Sequence, residues 1–215
     1  MLEKNIIKII EIIILGFLFP ISVVFLKMSN YILIFLWIIF FYSLVIHFSL
    51  YYKKITLNSF LIISKYKKYI LIIVLRWFLI CLLLYYFTKL FFPERLFILQ
   101  KNDIELLYKI FIFYPIFSAF PQEFIFCTFF FKRYRSLFKD EKTMIIMSSL
   151  IFCFAHIFAV NWVAPLLGIF GGFLFATTYS KTKSLLLVSF EHALYGNALF
   201  FIGLGWFFWG GSVNH

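Results

Sequence analysis

Charge is scarce in this sequence: 13% of its 215 residues are charged, and only nine are acidic. A water-soluble domain needs more charge than that to cover its surface, so an ordinary soluble globule is excluded. Strict alternation of polar and apolar residues is missing too, because the apolar runs are continuous, which argues against membrane barrel strands. Cysteine is sparse: Cys81, Cys127 and Cys153 all lie inside apolar stretches, in no zinc-like or disulfide-like spacing. They read as small buried residues. No small-residue cleavage site follows the first apolar run, which is therefore expected to be a span and not a removed signal.

Hydrophobicity is abundant, at 64% of residues and a mean hydropathy of +1.01. Runs of about 20 apolar residues recur, each long enough to cross roughly 30 Å of hydrocarbon. With no water there the backbone must satisfy itself, and continuous runs do so as helices. The expected fold is an all-α, polytopic transmembrane helical bundle of about seven spans. These run near Ile6–Leu26, Tyr31–Tyr52, Tyr69–Phe92, Leu106–Phe131, Thr143–Val160, Val163–Tyr179 and Ser184–Phe208, with Pro20 kinking the first. The segment Ile55 to Ser64 is expected to lie in the membrane interface. Residues 1–105 divide off as N-terminal helices with a basic loop, and 106–210 as a transmembrane core.

The net charge of +11 raises nucleic acid as a partner, but retention of cationic loops in the cytoplasm explains it better. Lys4, Lys53, Lys54, Lys65, Lys67, Lys68, Lys132, Arg133, Arg135, Lys139, Lys142, Lys181 and Lys183 fall on one side of seven alternating spans. Lys27, Arg95 and Lys101 fall on the other. The N-terminus is therefore expected in the cytoplasm, with the bilayer as partner and an integral-membrane location.

A carboxylate or imidazole in hydrocarbon costs several kcal/mol unless it is paired or lines a wet cavity. Within the spans, Glu11, His47, Arg76, Glu123, His156, Glu191, His192 and Asn197 stand out. Glu11 and His47 lie toward span ends without a companion and read as structural or interfacial. Glu191, about 100° from His192 around the helix, is expected to reach the interface. Glu123, His156, His192 and Asn197 fall on three successive polar interruptions and suggest one shared site. A carboxylate with a histidine can hold and deprotonate a water. A second histidine and an amide can donate to a developing oxyanion. Those parts fit peptide hydrolysis inside a membrane.

The segments Phe120-Pro121-Gln122-Glu123-Phe124-Ile125-Phe126-Cys127, Phe152 to His156, and Glu191-His192-Ala193-Leu194-Tyr195-Gly196-Asn197 with Gly203-Leu204-Gly205 carry a resemblance. They resemble the CPBP family, the CAAX-protease and bacteriocin-processing (Abi) membrane endopeptidases, over roughly Tyr114 to Trp206. Members carry Glu-Glu-x-x-x-Arg, Phe-x-x-x-His and His-x-x-x-Asn/Asp motifs. The resemblance implies a cofactor-free and metal-free peptidase acting on a membrane peptide or protein. It implies Glu123 and His156 as water activators, and His192 with Asn197 as oxyanion donors.

Three positions depart from the pattern. Gln122 replaces the first glutamate, which in well-studied members can itself be catalytic. Cys127 replaces the arginine, and Gly196 replaces the polar residue four after His192. Asn197 comes one later, about 140° from His192 on an ideal helix, and needs a π-bulge near Gly196 to face the site. Without an arginine at 127, Arg76 is expected to pair with Glu123. From the cytoplasmic span ends Glu123 and His192 lie about 12 Å deep and His156 about 20 Å.

Competing readings are a catalytically impaired member that binds a membrane peptide in an immunity or chaperone role, and a transporter with a Glu/His proton path. No inverted repeat supports the transporter. Zinc on two histidines and a glutamate lacks a His-Glu-x-x-His. Cys127 as a nucleophile is disfavoured by its phenylalanine surroundings.

Overall fold

The computed structural model describes residues 2–51 and 63–209. Seven helices in it are long and apolar enough to cross a membrane: spans 1 to 7 are Asn5–Phe25, Ser29–Leu50, Tyr66–Phe91, Ile104–Arg133, Glu141–Ala159, Val163–Thr182 and Leu185–Ile202. These bounds lie within a few residues of the expected ones, except that the last helix stops well before Phe208. The chain is an all-helical, integral membrane protein. Of the segment expected in the interface, Ile63 and Ser64 begin the third span's helix; the rest, with Lys53 and Lys54, lies outside the described residues.

The helix ends follow local chemistry. Asp103 caps span 4 by accepting from the Leu106 amide at 2.9 Å, and Asp140 caps span 5 through the Thr143 amide at 2.8 Å. Those bonds from Thr143 hold the Asp140 carboxyl below its ordinary range. Ser184 caps span 7 through Leu187. Gly203 stops that span at φ +114°, a left-handed turn that glycine adopts without strain. A Cβ there would meet the Arg95 carbonyl oxygen at 2.0 Å, so the connection after span 3 closes directly over this turn.

Proline shapes spans 1 and 4. Ile14–Leu18 and Pro115–Ala119 are π turns, and each contains the carbonyl four residues before a proline, at Gly16 for Pro20 and Phe117 for Pro121. Proline has no amide to bond that carbonyl and crowds it, and a wider turn relieves the clash. The freed Phe117 oxygen instead accepts from the Trp37 indole of span 2 at 3.1 Å.

Spans 5 and 6 pack along each other, and span 7 lies against spans 3, 4 and 6. Span 2 docks on the Phe120–Phe129 stretch of span 4, and span 1 on span 5. The core joins phenylalanines of span 4 to Met144, Phe152, Phe175 and Tyr179. Glu11, expected to lack a companion, does have one. Its Oε2 accepts from Arg133 Nη2 at 2.8 Å and its Oε1 from the Tyr42 hydroxyl at 3.1 Å, tying spans 1, 2 and 4. His47 packs edge-on against Phe124, ring centroids 5.5 Å apart.

Candidate active site

Three helical segments set the site. In span 4, a short α-helical piece, Phe120–Glu123, sits between the π turn at Pro115–Ala119 and another at Phe124–Phe129. Glu123 closes that piece and has no exposed surface. In span 5 the α-helix ends at Phe154, leaving His156 on the turn that follows. In span 7, His192 stands mid-helix and is buried.

Glu123 Oε1 accepts from His192 Nδ1 at 2.7 Å, and its Oε2 accepts from the Cys127 thiol at 3.1 Å. A proton on Nδ1 leaves Nε2 as an acceptor, and the Tyr114 hydroxyl donates to it at 2.9 Å. The result is a chain of Glu123, His192 and Tyr114 across spans 4 and 7. Phe175 of span 6 stacks on the imidazole, centroids 4.5 Å apart and planes 15° from parallel. Gly196 makes the Tyr114 contact possible. A Cβ there would fall 2.1 Å from Tyr114 Cε1 and 2.3 Å from its hydroxyl oxygen, in collision with the hydroxyl end of the side chain.

His156 donates from Nδ1 to the Phe152 carbonyl at 2.7 Å, so its ring folds back along span 5. The Phe152 ring lies between the two histidines, its centroid 4.6 Å from His156 and 5.6 Å from His192. The fold-back shortens the difference in depth from His192. His156, His192, Tyr114, Ser118 and Gln122 all line one cavity of about 940 Å³ with largely apolar walls. The Gln122 amide also donates to Ser118 at 2.9 Å.

Several expectations need correction. Arg76 does not pair with Glu123; it pairs with Glu191 of span 7. Glu191 accordingly does not reach the interface but is fully buried. Arg76 leans onto the face of span 7 that carries Glu191 and Tyr195, with Glu191 next to His192 in sequence. Asn197 does not join His192. Span 7 runs as unbroken α-helix through Gly196, so no bulge turns Asn197 inward. Its amide donates instead to the Phe111 carbonyl at 3.4 Å, and it lines a separate groove with Pro115, Phe120 and Ala193. Glu123 meets His192 but stands behind it, off the cavity lining, rather than beside His156. Cys127, 1% exposed and turned onto Glu123, has no access to the cavity. Among the described residues no group of three His, Cys, Asp or Glu side chains is placed to hold a metal.

Tyr114 was missed. A tyrosine in an apolar span carries no signal by itself, but the glycine where the third motif has a polar side chain marks the space it fills.

Residues 105–198 match the family model described as type II CAAX prenyl endopeptidase Rce1-like. The matched stretch runs from span 4 into span 7 and holds Tyr114, Glu123, His156 and His192. It agrees with the resemblance read from the motifs. No curated protein and no solved structure matches the chain.

Proposed function

We propose, with the CAAX-type membrane protease family of residues 105–198 as premise, that the protein is an intramembrane endopeptidase. It hydrolyses a peptide bond of a membrane peptide where Tyr114, Gln122, His156 and His192 line the 940 Å³ cavity. One observation carries this reading: the Glu123–His192–Tyr114 chain ends on a cavity that His156 and Gln122 also line.

Of the two histidines, His192 has a carboxylate behind it. When it takes a proton at Nε2, Glu123 stabilises the imidazolium, so His192 is the general base. His156 has its Nδ1–H committed to the Phe152 carbonyl, which leaves Nε2 as an acceptor to hold the attacking water. As the water oxygen adds to the substrate carbonyl carbon, its proton passes to His192 Nε2. The Tyr114 hydroxyl, released from Nε2, and the Gln122 amide donate to the oxyanion. The proton on His192 then moves to the leaving nitrogen as the C–N bond breaks. Glu123 positions and stabilises His192 and does not touch the water, a different division of labour from the one the motifs imply. The cationic Lys132–Lys142 loop supports its end of the bundle as the cytoplasmic one.

Purified full-length chain in proteoliposomes, offered a broad panel of membrane peptides, tests this. Wild type should cleave at least one, with His192→Ala, His156→Ala and Glu123→Gln each slower by about 100-fold. Equal rates for wild type and all three would defeat it.

A second reading has its own observation: among the described residues no carboxylate lines the cavity, where the family's first motif carries two glutamates. A peptide-binding member without catalysis fits that. It predicts that wild type retains a panel peptide intact, and that cavity substitutions release it.

A further inference from the structure

Arg76 sits in the middle of span 3, outside the matched core, and its side chain is three-quarters buried. A guanidinium at that depth must be satisfied within the bundle. It is gripped on three sides: the ion pair to Glu191, Nη2 donating to Thr178 Oγ1 at 3.2 Å, and Nε donating to the Tyr195 hydroxyl at 3.1 Å. Next to it, the Trp77 indole donates to the Leu194 carbonyl at 3.0 Å. Span 3 therefore holds span 7 at three positions near His192, Glu191, Leu194 and Tyr195, and reaches span 6 at Thr178.

Two of those contacts lead to the imidazole. Glu191 is its neighbour in sequence, so fixing Glu191 fixes the rotation of span 7 about its axis and hence the face His192 presents. Tyr195, held at its hydroxyl, sets its ring against Phe175, centroids 6.0 Å apart, and Phe175 is the ring stacked on His192. The fork geometry of arginine suits this role, since one planar group bonds a carboxylate and two hydroxyls in fixed directions; lysine lacks the fork.

We propose that Arg76 is a positioning residue for His192, acting through Glu191 and through the Tyr195–Phe175 stack. The proposal rests on His192 being a site histidine, but its test does not need turnover. Full-length protein in detergent micelles, with ring-labelled histidine, gives the imidazole signals by NMR, and His192→Gln identifies that of His192. Stacking on Phe175 displaces this signal by ring current.

In Arg76→Lys and in Tyr195→Phe the displacement should fall by about half, as the stacked geometry loosens. Tyr195→Phe removes a single oxygen and leaves the packing volume intact, so it reports even where Arg76→Lys folds poorly. On any peptide that wild type cleaves, both variants should lose kcat by roughly 100-fold, with KM within about twofold, as for a misplaced catalytic group. A His192 signal unmoved in folded Tyr195→Phe overturns the proposal, as does a rise in KM at constant kcat. A wild type that cleaves nothing, with the ring-current displacement of His192 still reduced in the variants, defeats the protease reading and leaves the positioning role standing.

Discussion

Gly196→Ala is the most discriminating single change, because two effects of opposite sign meet at one atom. In the interior of span 7, alanine is the better helix former by about 1 kcal/mol, so the substitution alone favours the helix. Against that, the added methyl would sit 2.1 Å from Tyr114 Cε1 and 2.3 Å from both Cζ and the hydroxyl oxygen. Ordinary carbon–carbon contact is about 3.5–4.0 Å, so the ring must retreat by about 1.5 Å. Phe200 packs edge-on against it at 5.6 Å between centroids and closes one direction of retreat. Overpacking of this kind costs about 1–3 kcal/mol, so the clash wins. The retreat also breaks the 2.9 Å hydrogen bond from Tyr114 to His192.

The expected outcome is a net loss of about 1 kcal/mol in unfolding free energy, followed in detergent by denaturant titration, and a loss of cleavage of about 100-fold. The control is the same substitution in a Tyr114→Ala background. There the clash is gone, only the helix preference remains, and Gly196→Ala should stabilise by up to about 1 kcal/mol. A change of sign between backgrounds is the signature. If Gly196→Ala stabilises the wild-type chain, or destabilises both backgrounds equally, Tyr114 does not fill that space and its place in the site is lost.

Asn197→Ala should leave cleavage within about threefold of wild type, since the amide lies in the outer groove; a loss near 100-fold would put Asn197 in the site after all. Glu11→Gln should destabilise by about 2 kcal/mol in the same denaturant titration, by leaving Arg133 partly unpaired among spans 1, 2 and 4, without changing kcat. Asp140 has its folded-state acidity strengthened by the Thr143 bonds, so it adds stability above its unfolded-state value that is lost as pH falls through the lower folded one. Asp140→Asn keeps the cap without titrating, and should flatten the acid side of a pH–stability profile; an unchanged slope would refute it.

The spans were legible because span length and cation placement are properties of the chain, independent of how helices rotate. The residues of the site were legible for a related reason: Glu123, His156 and His192 are conspicuous wherever hydrocarbon surrounds them. Pairings were not. Arg76 had two candidate acids, and the choice between Glu123 and Glu191 depends on which face of span 7 meets span 3. That face is set by packing of Trp77 and Tyr195, which read as generic apolar residues. Depth misled for His156, because counting residues along an axis ignores a ring that turns back toward Phe152. Asn197 shows the value of a simple helical count: its angle from His192 argued against the site, and the unbroken helix leaves it outside.

The departures from the family motifs are tied together by contacts from elsewhere in the bundle. At Cys127 the chain has a neutral thiol on Glu123 where the motif has arginine, and the intramembrane cation comes from span 3, joined to Glu191 beside His192. At Gly196 it has no side chain where the motif has a polar one, and a hydroxyl reaches the same imidazole from span 4. In both cases a group four residues along the helix is replaced by one from another helix: Arg76 meets Glu191, next to His192 in sequence, and Tyr114 meets His192 itself. Restoring one motif residue alone should therefore harm. Gly196→Asn places its Cβ 2.1 Å from Tyr114 Cε1, and should lower stability by about 1–3 kcal/mol in the denaturant titration. Tyr114→Ala with Gly196→Asn opens the space and returns an amide to the position. If the single and double variants are equally destabilised, the two sites are independent and the idea of exchange between helices fails.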